Sequence, residues 1–198
     1  MLRCINFWLL MMLATSGFSQ KFTPVYKTAE SERWADSVLL KMSYEDKIGQ
    51  LFMVDAFSNK DSLHVRQIAA LIDSFHIGGL IFFQGGPYRQ AALTNYYQAR
   101  SRYPLLIGFD GEWGLQMRLD STVRFPRQMT LGAGATAADV YTMGLEIGRQ
   151  MHRMGIHVNF APDIDINNNP GNPIINSRSF GESRQRVAEL GEMYMKGM

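Results

Sequence analysis

Two stretches of this 198-residue chain concentrate the side chains that can do chemistry. The first is Asp110-Gly111-Glu112-Trp113-Gly114, with Gln116 and Arg118 beyond it. The second begins at Asn159, passes Asp163, Asp165 and Asn167, and reaches Ser177-Arg178-Ser179-Phe180-Gly181. Acids and arginines beside an aromatic ring suit a sugar. Its hydroxyls need bidentate partners, and its ring faces stack on apolar planes.

Other clusters carry less. Gly85-Gly86-Pro87 lacks the spaced glycines and lysine of a phosphate loop and reads as a tight turn. Asp163-x-Asp165-x-Asn167 opens like a calcium loop. The sixth position is then Asn168 rather than Gly and the twelfth Ile174 rather than Glu, so the match fails where it matters. Asn167 to Pro173 reads instead as a rigid turn held by Asx hydrogen bonds. His64, His76, His152 and His157 show no ligand spacing and read as structural. Asp55 is a lone acid, and an arginine at 178 pairing with Asp163 or Asp165 simply to brace its loop is a rival to any binding role. Nothing indicates a cofactor or a metal.

Positioning these residues falls to an alternation of short apolar runs and amphipathic segments. Apolar runs at Leu51–Val54, Leu80–Phe83, Leu105–Phe109 and Ile156–Phe160 read as buried strands. Helical stripes fall at 31–42, 61–75, 89–102, 136–154 and 184–198, with Ser43 and Thr136 as capping residues. Such alternation implies an α/β fold, with parallel strands covered by helices. Periodicity does not choose between a doubly wound open sheet and part of a (β/α)8 barrel. In both, ligands bind at the carboxyl ends of the strands, where Asp110, Asp163 and Arg178 fall. The wide interval between the third and fourth strands leaves room for a functional loop.

Composition excludes several classes. Lys+Arg 20 against Asp+Glu 18 gives a formal charge of +2, with no basic footprint for nucleic acid. The one cysteine, Cys4, excludes a disulfide scaffold. At the amino end Arg3 precedes an apolar run from Ile5 to Ala14 and then small residues, the layout of a secretory signal peptide cut after Ser19. That run is shorter than the ~20 residues of a membrane span, so no transmembrane segment is expected in the mature chain. The expected organisation is a signal peptide at 1–19, a lead-in and helix at 20–42, and the barrel part at 43–198. An exported, periplasmic or extracellular protein follows.

Five segments in order resemble the N-terminal domain of family 3 glycoside hydrolases, nearest the bacterial β-N-acetylhexosaminidase branch. They are Ser43-Tyr44-Glu45-Asp46-Lys47-Ile48-Gly49-Gln50-Leu51, Gly78-Gly79-Leu80-Ile81-Phe82, Gly108-Phe109-Asp110-Gly111-Glu112-Trp113-Gly114 with Arg118, Met154-Gly155-Ile156 with Asn159-Phe160-Ala161-Pro162-Asp163-Ile164-Asp165, and Asn172-Pro173-Ile174-Ile175 with Arg178-Ser179-Phe180-Gly181. The resemblance implies a partial TIM-type (β/α)8 barrel, incomplete at the C-terminus, and a retaining glycosidase acting on amino-sugar glycans such as peptidoglycan fragments. It implies substrate binding by Asp110, Arg118 and Arg178. The His–Asp acid/base loop and the nucleophile of the family come later than residue 198, so no catalytic residue is expected in this chain, which reads as an inactive N-terminal fragment. Trp113 departs from the family's usual glycine. A retaining site needs two carboxyl-like groups about 5–5.5 Å apart. On sequence alone Asp110 with Asp163 or Asp165 remains an open pairing, though the family gives none of them that role. The alternatives are a β-glucosidase of the same family and a non-catalytic carbohydrate-binding half-barrel.

Overall fold

A computed structural model describes residues 27–198. The expected signal peptide therefore lies outside the described residues. The chain divides into two units, up to Met42 and from Ser43 onward. Of the first, residues 27–42 are described and contain helix α1 (Ala29–Leu39), which buries none of its residues. It starts on a reciprocal cap in which Thr28 accepts from the Ser31 amide and Ser31 accepts from the Thr28 amide.

The second unit runs α2 (Tyr44–Gly49), β1 (Met53–Ala56), α3 (Ser62–Phe75), β2 (Gly79–Phe82), α4 (Pro87–Arg100), β3 (Leu106–Phe109), α5 (Gln128–Gly134), α6 (Ala137–Arg153), β4 (Val158–Asn159) and α7 (Arg184–Gly197). Local chemistry explains most boundaries. Ser43 with Asp46 and Thr136 with Asp139 form capping boxes, Asp61 caps α3, and Pro87 occupies the first turn of α4. Gly155, at φ +68, turns the chain after α6.

All strands pair in parallel, in the sequential order β1-β2-β3-β4. The register aligns Val54 with Leu80 and Ile107, and Ala56 with Phe82 and Phe109. These residues form one core cluster with Ile68 and Ile72 of α3, Tyr97 of α4, Leu131 of α5, Val140, Met143 and Ile147 of α6, and Val187, Leu190 and Tyr194 of α7. Five helices thus pack against one face of the sheet. The opposite face carries Met53, Asp55, Ile81 and Leu106, and Leu106 is 47% exposed. A doubly wound sheet would have helices on both faces and a reversal in strand order. Sequential order with helices on one face is instead the arrangement of a (β/α)8 barrel, here an unclosed arc of four strands.

Several expectations shift. β1 begins at Met53, and Leu51 and Phe52, expected in a buried strand, are 83% and 57% exposed. Asp55 lies inside β1 rather than beyond it and is exposed. The turn after α3 is taken by His76, in the left-handed region at φ 48. Gly78 serves close approach, since a Cβ there would sit 2.1 Å from the Gln50 carbonyl oxygen. Within the interval after β3, read as a loop, α5 forms without a side-chain cap and with two glycines in its sequence.

Candidate functional site

β3 ends at Phe109, and the next residues make a turn at the carboxyl edge of the sheet. Its backbone is held from two sides. The Gly111 amide donates to Asn159 Oδ1 of β4 at 2.8 Å, and the Gly111 carbonyl accepts from the buried Tyr194 hydroxyl of α7 at 2.9 Å. The Glu112 carbonyl accepts from Gln128 Nε2 of α5 at 2.7 Å. Burial raises the Tyr194 pKa, keeping the hydroxyl a donor.

Two ion pairs leave this turn in different directions. Asp110 Oδ2 accepts from Arg118 Nη2 at 2.6 Å, with side chains 24% and 19% exposed. The Arg118 guanidinium lies 4.6 Å from the centre of the Phe83 ring at the end of β2, and its Nε is buried without a protein partner. Arg118 is fixed as well through its carbonyl, which accepts from the Gly85 amide at 3.2 Å. The Gly85-Gly86-Pro87 segment is not the tight turn expected: Gly85 bridges Leu119 in parallel, Gly86 is extended at φ -134 and ψ 153, and Pro87 begins α4. Ser58 Oγ fills the space beside Gly85 and accepts from the Gly86 amide at 3.1 Å.

Glu112, two residues on, forms a fork with Arg178. Nε donates to both carboxylate oxygens at 2.9 and 3.0 Å, and Nη2 donates to Oε1 at 2.7 Å. Nη2 also lies 3.4 Å from Asp163 Oδ2. The Glu112 and Asp163 side chains are only 4% and 5% exposed, against 34% for Arg178. Hydrogen bonding to Glu112 raises the Arg178 pKa, so its charge is permanent, whereas burial raises that of Asp163.

The expected site residues are therefore brought together by one turn: Asp110 with Arg118 directly, and Arg178 through Glu112. The loop-bracing role weighed for Arg178 is present, with Glu112 as the main partner and Asp163 as a second. Asp110 and Asp163 are engaged by different arginines, Asp110 by Arg118 and Asp163 by Arg178. Glu112 was not singled out from the sequence. Its partner lies 66 positions away, and no spacing rule links them. Asp163 Oδ1 accepts from the Asp165 amide, while Asn169 and Asn172 accept from the Gly171 and Ile174 amides, giving the Asx turns expected there. The calcium-like segment is thus turned inward on its own backbone. Among the described residues no group of three His, Cys, Asp or Glu is placed to hold a metal ion. His64 and His157 accept backbone amides from Phe57 and Ile107, in keeping with structural roles.

A sequential parallel arc with a polar turn at its carboxyl edge corresponds to the end of a barrel where ligands bind. Residues 43–198 match the glycosyl hydrolase family 3 N-terminal domain, and the chain belongs to that family. It is 36% identical over 143 residues to beta-hexosaminidase A of Pseudoalteromonas piscicida, covering 66% of this chain and 24% of that protein. It is 28% identical over 165 residues to a beta-N-acetylglucosaminidase/beta-glucosidase of Cellulomonas fimi, covering 83% and 28%. Among solved structures, a family 3 beta-N-acetylglucosaminidase from Paenibacillus sp. str. FPU-7 superposes with a TM-score of 0.69 at 36% identity, covering 79% of this chain and 31% of that one. The chain thus spans about a quarter of the length of these two curated relatives. Among the described residues no helix is long and apolar enough to cross a membrane.

Proposed function

We propose that this chain supplies the sugar-holding part of an exported β-N-acetylhexosaminidase, which releases terminal β-N-acetylhexosamine from amino-sugar glycans such as peptidoglycan fragments. The observation that carries the reading is the turn after β3, which anchors both the Asp110–Arg118 and the Glu112–Arg178 pairs at the carboxyl edge. Such paired, oriented donors and acceptors match the adjacent hydroxyls of a pyranose. The names of the Pseudoalteromonas and Paenibacillus relatives support the amino-sugar preference. Asp110, Arg118 and Arg178 bind substrate in this reading. The nucleophile and the acid/base group of a retaining mechanism are assigned to no residue of this chain.

Titration of the protein with N-acetylglucosamine and with glucose, followed by NMR, tests the reading. N-acetylglucosamine should bind, and Asp110→Ala should weaken it by about tenfold or more, as expected for loss of a charge-assisted contact. Unchanged affinity in the folded variant would remove Asp110 from the site. A β-glucosidase is the second reading, favoured by the double name of the Cellulomonas relative. Tighter binding of glucose would select it. Export is proposed from the amino-terminal layout, and the mass of the secreted protein should correspond to a start at Gln20. An intact Met1 in the exported fraction would contradict it.

A further inference from the structure

We infer that Glu112 is a specificity-determining residue: by neutralising and aiming Arg178, it makes the site accept an uncharged sugar and refuse an anionic one. The inference rests on the reading of Arg178 as a sugar-binding residue.

A carboxylate as buried as Glu112, at 3% exposure, must be paired. It takes Nε and Nη2 of Arg178 and leaves Nη1, whose hydrogen bond is a long 3.4 Å to the Ile174 carbonyl. Nη1 is thus the donor most free to turn to a ligand. The direction of the fork is set in turn by the Glu112 backbone, which Gln128 anchors. Arg118 and Arg178 are each matched or outnumbered by carboxylates. Arg118 faces Asp110, and Arg178 faces Glu112 with Asp163 beside it. Arg127 keeps its charge: its guanidinium lies 4.5 Å over the Trp113 ring and Nη1 donates to Ser177 Oγ at 2.8 Å, contacts with neutral partners that fix the place of the charge without cancelling it. A hydroxyl or acetamide oxygen can accept from Nη1 without bringing charge. A carboxylate or phosphate turning to Nη1 would face Glu112 and Asp163, which the same guanidinium already holds, and like-charge juxtaposition disfavours it there.

The test titrates the protein with N-acetylglucosamine and with N-acetylglucosamine 6-phosphate, following amide shifts by NMR. Wild type should favour the neutral sugar, and E112Q should shrink that preference by about tenfold, with the phosphorylated sugar gaining affinity. A role in packing alone would lower stability but leave the ratio of the two affinities in the folded protein unchanged. That unchanged ratio would overturn the inference, as would a wild type that prefers the phosphorylated sugar. Should E112Q fail to fold, D163N removes the second carboxylate while leaving the fork. It should move the ratio in the same direction by a smaller factor, and no movement would again overturn the inference. R178K separates the two ideas. If it binds N-acetylglucosamine as wild type does, the assignment of Arg178 to the sugar fails and the inference fails with it. A weakened R178K alongside an unaltered ratio in E112Q sinks only the role of Glu112.

Discussion

Asp46 shares its two carboxylate oxygens among four groups. Oδ1 meets His76 Nδ1 at 2.5 Å, and Oδ2 accepts from the Ser43 amide at 3.2 Å and the Tyr103 hydroxyl at 3.1 Å, with Arg102 Nη1 at 3.5 Å. The cluster joins the first turn of α2, the end of α3 and the approach to β3, at the opposite edge of the sheet from Asp110. The bond to His76 above all, with those from Ser43 and Tyr103, lowers the Asp46 pKa from 3.8 to about 2 against the opposing effect of burial. A carboxylate with a lowered folded pKa adds stability that is present above its unfolded value and lost as pH falls through the folded one. Urea midpoints should therefore decline from about pH 4 toward pH 2. Asp46→Asn should be less stable at pH 6 and show a flatter decline over the same interval. Parallel curves for the two proteins would remove Asp46 from the acid response. The capping box at Ser43 and Asp46 was legible in the sequence, being a contact across three residues. The His76 partnership spans 30 residues, and only packing reveals it.

Helix α5 shows how an element can position the site without supplying a sugar-binding side chain. A Cβ on Gly132 would lie 1.7 Å from the carbonyl oxygen of Phe180, two residues beyond Arg178. The helix thus packs directly on the backbone of the loop that carries the arginine, while its Gln128 holds the Glu112 carbonyl. Gly132→Ala should push the two apart, cost about 1–3 kcal/mol as an overpacked contact does, and weaken N-acetylglucosamine binding. Chemical denaturation and sugar titration check the two effects. A variant as stable as wild type would show that the close approach is dispensable. The same means joins α6 and α7, where a Cβ on Gly144 would meet the Tyr194 carbonyl oxygen at 2.4 Å and one on Gly197 that of Tyr141 at 2.2 Å. α6 announced itself through its capping box and a clear apolar stripe. α5 did not, because two glycines and no side-chain cap mask a helix that tertiary contacts support.

In the unit from Ser43 onward, the sheet has two free edges. Among the described residues β1 pairs with β2 alone and β4 with β3 alone. Beside β1 lies a groove of about 570 Å³ lined by Ile48, Phe52, Val54, Leu71 and Phe75, and beside β4 one of about 590 Å³ lined by Pro162, Ile164, Val187 and Met195. Unpaired strands flanked by exposed apolar side chains such as Leu51 and Phe52 are templates for association. The isolated chain should therefore sediment as larger species with rising concentration, and Phe52→Lys should reduce that tendency. A constant monomer sedimentation coefficient for wild type would contradict the expectation.

What the sequence determined by itself is whatever local physics encodes. Strand and helix order followed from apolar periodicity, the starts of α2 and α6 from hydroxyl–acid capping pairs, and the location of the site from polar residues placed just past Phe109 and Asn159. Tertiary structure decided the rest. Periodicity is the same whether helices cover one face of a sheet or both, so the barrel-like arc emerged only from strand pairing and the single core cluster. The grip of Glu112 on Arg178 was equally hidden, because an ion pair across 66 residues leaves no spacing signature and exists only once β3, β4 and α5 have converged on one turn.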